Sequence, residues 1–145
     1  YTGPGATDNH KEGVMGDRFK THGDFSWCEL MTNDVEASKK FYSELLGWTT
    51  EDMPMAGGAA YTVVKAGDQS IGGIMKMPEM AGSAPPHWMG YITVDDVDDR
   101  LAKAEAAGGK VMMPAMDVPG VGRMATIVDP TGGAISIITY APRED

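Results

Sequence analysis

The sequence has one cysteine, few basic residues and no long apolar run, and each shortage closes a class of protein. Cys28 alone among 145 residues excludes an internal disulfide framework, which suits a reducing compartment. Twelve Lys and Arg stand against 21 Asp and Glu, leaving a net charge of −9 and a pI near 4.7. No basic face is written there for a phosphate backbone, so no nucleic-acid partner is expected. No uninterrupted apolar stretch approaches the length of a membrane span. No secretory-leader pattern follows Tyr1, and the expected compartment is cytoplasmic. The plain reading of the acidity is solubility, and the sharper one is attraction of cationic ligands.

What is present is enough for a core, since a chain of this length buries about 68–70% of its unfolded surface. Residues 1–22 carry scattered glycines and charges without apolar period, and read as a flexible arm ahead of one domain over 23–145. Phe25–Met31 reads as a strand. Asn33 and Asp34 then offer an N-cap, Val35, Phe41 and Leu45 recur at helical spacing, and Gly47 stops the helix. Trp48–Met53, Ala60–Ala66 and Ser70–Met77 follow as strands, the last two a hairpin, and Pro78–Pro86 reads as a linker.

After the linker the order repeats. His87–Val94 reads as a strand, Asp95–Asp99 opens a helix ended by Gly108-Gly109, and Lys110–Met113, Met124–Val128 and Ala134–Tyr140 read as strands. Asp129-Pro130-Thr131-Gly132-Gly133 is a strong turn signal for the last pair. The pattern is βαβββ twice, module one over 24–80 and module two over 87–140. A shift of 62 lays Trp27 on Met89, Asp34 on Asp96 and Gly47 on Gly109.

The run Asn33-Asp34-Val35, Ser38, Phe41-Tyr42, Leu46-Gly47-Trp48 resembles the first helix of the vicinal oxygen chelate superfamily, the glyoxalase, bleomycin-resistance and extradiol-dioxygenase relatives. Val94-Asp95-Asp96-Val97 and Gly122-Arg123-Met124 through Gly133 resemble that superfamily's second helix and closing hairpin. The resemblance covers residues 24–140. It implies an α+β fold in which two βαβββ modules form a curled, incomplete-barrel sheet with a concave cavity. It also implies four metal-ligand positions on the first and fourth strands of the modules, which here fall on Trp27, Met89, Ser136 and a residue near Gly73. Indole only donates, glycine lacks a side chain and thioether prefers soft metals. No metal and no cofactor are therefore expected.

Strand alternation puts Glu29 on the face of Trp27. There it serves as a general base or a cation anchor, against the plainer reading of an ion pair or a strand-end residue in water. His87 reads as a proton-transfer group at the cavity rim, against an exposed or capping residue. Met89 and Tyr91 share its face, with Met75, Met124, Thr126 and Ser136 as further pocket lining, against ordinary gap-filling for each methionine. Asp95, Asp96, Asp98 and Asp99 read as helix-capping carboxylates rather than a metal cluster. Cys28 reads as a buried, inert thiol, and Arg123 as a partner of Asp117. The expected function is metal-free binding of a small organic ligand. The alternatives are a lyase or isomerase using Glu29, His87 or a divergent metal site, and a dimeric interaction domain without catalysis. A homodimer is expected in each case.

Overall fold

The computed structural model describes residues 17–54, 60–78 and 84–142. Among these residues eight strands and two helices alternate as expected: β1 (Phe25–Thr32), α1 (Val35–Leu46), β2 (Thr49–Pro54), β3 (Ala60–Ala66), β4 (Gln69–Lys76), β5 (His87–Thr93), α2 (Val97–Ala106), β6 (Lys110–Val118), β7 (Gly122–Val128) and β8 (Ala134–Tyr140). This is an α+β chain whose mixed sheet is not closed into a barrel. By density of contacts it divides into two compact units, Trp27–Gly90 and Tyr1–Ser26 with Tyr91–Asp145. No helix among the described residues is long and apolar enough to cross a membrane.

In the first unit β1 runs parallel to β4, with Glu29 beside Gly73 and Leu30 beside Ile74. β3 lies antiparallel between β4 and β2. The side chain of Asp34 caps α1 by accepting from the Ala37 N–H at 3.0 Å, satisfying one of the free donors of the first turn. Gly47 ends the helix at φ 72°, in the left-handed region that only glycine enters without cost. Leu30, Val64 and Ile74 form the core on the helix side, with Val35, Tyr42 and Trp48 packed against it.

The second unit repeats the plan. β5 runs parallel to β8 with Tyr91 beside Ser136, and β8, β7 and β6 follow antiparallel. Asp96 caps α2 through the Asp99 N–H. Val94, Val97, Ala125 and Ile137 make its core. The other carboxylates at this helix start pair outward: Asp95 with Arg100, and Asp98 with Arg123, which also reaches Asp117. These guanidinium contacts, led by the hydrogen bonds themselves, hold Asp95 and Asp98 below the usual carboxylate range.

Three details depart from expectation. β6 runs five residues beyond Met113, because its ladder continues to Val118 opposite Gly122 with two register shifts along the way. Those shifts accommodate Pro114, which has no N–H to donate and lies exposed. Cys28 is exposed rather than buried, and desolvation against the sheet raises its thiol's pKa. Of the expected arm, residues 1–16 lie outside the described residues, as do residues 79–83 of the expected linker. Residues 17–24 make specific bonds in the second unit: Thr93 donates its hydroxyl to the Arg18 carbonyl, Gly23 and Asp24 pair with the Thr93 backbone, and Phe19 meets Tyr140 edge-on at 4.9 Å.

Candidate functional site

The polar chemistry of the first unit gathers on the sheet face that does not carry α1. Alternation along β1 sends Leu30 to the helix-side core and Glu29 the other way. Glu29 is buried, at 7% exposure. Its carboxylate accepts the Tyr61 hydroxyl proton at 2.7 Å, and the Tyr61 oxygen accepts the Trp27 indole N–H at 2.9 Å. Trp27 and Tyr61 are half-buried, so the chain of bonds leads from a partly open aromatic pair to a buried charge. A hydrogen bond of this length fixes the orientation of the Glu29 carboxyl group.

Tyr61 is not among the site residues expected from the sequence, and Gly73 entered there only as a position without a ligand atom. A Cβ added at Gly73 would collide with the Tyr61 hydroxyl and ring, so the missing side chain is the berth of the tyrosine. The only local clue was the glycine itself, since a glycine inside a strand often marks a close approach by another group.

The remaining expected residues lie in two groups. Met75 neighbours Met31 across the β1–β4 pairing in the first unit, and Met89 is buried at 6% exposure. In the second unit Tyr91, Ser136 and Thr126 lie side by side on adjacent strands. Ser136 and Thr126 share a 2.7 Å hydrogen bond, and Ser136 is only 2% exposed. Met124 pairs with Ile138 one step along. His87 stands apart from Trp27, Tyr61 and Glu29. Its Nδ1 faces the Pro85 carbonyl at 2.8 Å, and its ring lines an outer cleft with Leu30, Thr32 and Trp88.

The four positions implied for a divalent ion do not fit one. Trp27 spends its N–H on Tyr61, Gly73 offers no donor atom, Met89 offers a thioether, and the Ser136 hydroxyl is bonded to Thr126. Among the described residues no three His, Cys, Asp or Glu side chains come together as a ligand set.

Comparison with known proteins accords with this architecture. Over 122 residues the chain is 43% identical to CFP32 of Mycobacterium tuberculosis, a protein named as a candidate glyoxylase. Over 124 residues it is 33% identical to the anthracycline biosynthesis protein DnrV of Streptomyces peucetius. These alignments take in 84% and 77% of this chain but only 46% and 45% of the relatives, so the chain spans about half their length. Among solved structures, methylmalonyl-CoA epimerase from Mycobacterium tuberculosis superposes with a TM-score of 0.60 at 16% identity, covering 83% of this chain and 89% of that one. The hypothetical protein BH1468 of Bacillus halodurans reaches 0.64 at 10% identity, over 86% and 99%. Such low identities speak for the fold alone. The family model for the Glyoxalase/Bleomycin resistance protein/Dioxygenase superfamily matches residues 24–137, and the chain belongs to that superfamily.

Proposed function

We propose that this chain binds a small, flat, largely apolar organic molecule without a metal, on the first unit's sheet face, with Glu29 as its charged anchor. The observation that carries the reading is the Trp27–Tyr61–Glu29 chain of hydrogen bonds. Two aromatic rings offer stacking area at little conformational cost. The buried carboxylate supplies one oriented acceptor, the usual composition of a small-molecule site. Met31 and Met75 extend the same face with adaptable apolar surface. That two relatives bear names from anthracycline biosynthesis supports a planar polycyclic ligand class.

A hydroxylated tricyclic quinone such as 1,4-dihydroxyanthraquinone is the test ligand, followed by tryptophan fluorescence in protein with Trp48 and Trp88 changed to Phe. Saturable quenching of Trp27, lost in Glu29→Gln, is the expected result. An unquenched Trp27 at saturating probe overturns the proposal.

A second reading, that of a lyase or isomerase, rests on the same bond between Tyr61 and Glu29. A carboxylate held by a phenol is positioned to take a proton from carbon beside a carbonyl, with the phenol returning one. In that case Glu29→Gln abolishes turnover of the substrate while leaving its binding within about threefold, whereas pure binding shows no turnover to lose.

A further inference from the structure

We propose that an outer cleft of the first unit, separate from the Trp27–Tyr61–Glu29 face, binds small aromatic ammonium ions. The cleft encloses about 400 Å³ between the end of β1, the first turns of α1 and the start of β5. That volume lies within the range of roughly 300–1,000 Å³ common to small-molecule sites. None of Trp27, Glu29 and Tyr61 lines it, so the inference stands or falls apart from the function proposed above.

Its walls are aromatic and held in place. The Trp88 indole N–H donates to the Tyr42 hydroxyl at 3.2 Å, and the two rings meet edge-on with centroids 5.4 Å apart. Trp48 stacks behind Tyr42 at the same separation. Phe41 packs edge-on against Tyr42 from the other side. Yet Phe41 is 57% and Trp88 38% exposed, and α1 buries none of its residues. Large aromatic rings fixed by their neighbours but left open to solvent mark a surface built for contact.

The polar groups of the cleft select the charge of its occupant. Asp34 brings a carboxylate whose Oδ1 caps α1, while Oδ2 takes no hydrogen bond among the described residues. His87 is fixed by the Pro85 carbonyl, which can only accept, so Nδ1 carries a proton. No lysine or arginine lines the cleft. A cation there meets the rings of Phe41, Tyr42 and Trp88 and the carboxylate of Asp34, in a chain whose net charge is −9. Cation–π attraction and charge pairing act together on an ammonium group, and the ring surfaces take an attached aryl group. A carboxylate ligand finds no lysine or arginine there.

Three probes of similar size separate the contributions: 2-phenylethylammonium, 2-phenylethanol and 3-phenylpropanoate, titrated into the whole chain and followed by amide shifts. The ammonium should move amides of residues 34–42 and 87–88. It should bind about five- to tenfold tighter than the alcohol, with the propanoate weakest. Asp34→Asn keeps a capping side chain and should erase the preference for the ammonium over the alcohol. Trp88→Ala should weaken both about fivefold or more, and Trp27→Ala should change neither. Equal affinities for the three probes, a preference that survives Asp34→Asn, shifts confined to other residues, or no binding at millimolar probe would each overturn the proposal. So would sedimentation showing a dimer in which Trp88 is shielded from a soluble quencher, because a second copy would then occupy the cleft. Should Trp88→Ala fail to fold, Asp34→Asn decides the matter alone.

Discussion

The two units share one topology and differ in chemistry at matching positions. In the first, the β1–β4 pairing sets Glu29 beside Gly73, and Val63 of β3 lies on the other side of Gly73. In the second, the β5–β8 pairing sets Tyr91 beside Ser136, and Thr126 of β7 lies on the other side. Ser136 and Thr126 satisfy one another across the strands. Without a side chain at position 73, the first unit has no such local pair. Tyr61, two residues before Val63, leans over the glycine and donates a hydrogen bond to Glu29. Conformational room left by a glycine, as much as the acid, makes the charged site.

The sharpest way to break this comparison is to fill the first unit's glycines. At Gly72 an added Cβ would collide with the Cys28 carbonyl oxygen, which is backbone and cannot swing aside. Gly72→Ala should cost about 3 kcal/mol, the upper end of overpacking penalties, read from the urea midpoint. A loss below about 1 kcal/mol would show that β1 and β4 separate freely. At Gly73 the obstruction is the far end of a side chain, so Gly73→Ala should cost less, about 1–2 kcal/mol. It should also change Trp27 emission, because the displaced Tyr61 no longer accepts the indole proton. The matching change Ser136→Ala removes one buried hydrogen bond and should cost about 1 kcal/mol. A larger loss for Ser136→Ala than for Gly73→Ala would contradict the asymmetry between the units.

Acid offers the smallest expected effect. Asp95, Asp98 and Asp129 in the second unit, and Asp52 in the first, all titrate below the ordinary carboxylate range, each chiefly through a side-chain hydrogen bond. A depressed folded pKa contributes stability above the unfolded value, near 3.9, and loses it as pH falls through the folded one. Three of these four groups lie in the second unit, so amide protection factors, corrected for the slower intrinsic exchange in acid, should fall there first between pH 5 and 3. All four are at the surface, where salt screens such pairs, so the difference should shrink in high salt. An equal fall in both units would remove the electrostatic half of the comparison.

Most of the fold was legible because each element carried its own punctuation. Asp34 and Asp96 cap helices, Gly47 ends one in the left-handed region, and the Asp129 side chain binds the Thr131 and Gly133 amides as the turn sequence foretells. The repeat fixed which strands correspond, and alternation placed Glu29 with Trp27 and Thr126 with Ser136. What escaped depended on partners distant in sequence. Tyr61 meets Glu29 across 32 residues, and nothing around Tyr61 distinguishes it from a strand tyrosine facing solvent. Cys28 looked buried by alternation, yet alternation assigns a face and not the depth of cover above it. The length of β6 escaped because Pro114 reads as a strand end, whereas register shifts let an edge strand pass through it.

The most direct test of the account follows backbone amides through a titration with the planar quinone probe. If the first unit's face is the binding site, the largest shifts fall on Trp27, Glu29, Tyr61 and Gly73, and Tyr61→Phe weakens binding about three- to tenfold, the value of one hydrogen bond. Shifts confined to Tyr91, Thr126 and Ser136, with Tyr61→Phe binding as tightly as the unaltered chain, would move the site to the second unit and contradict the account.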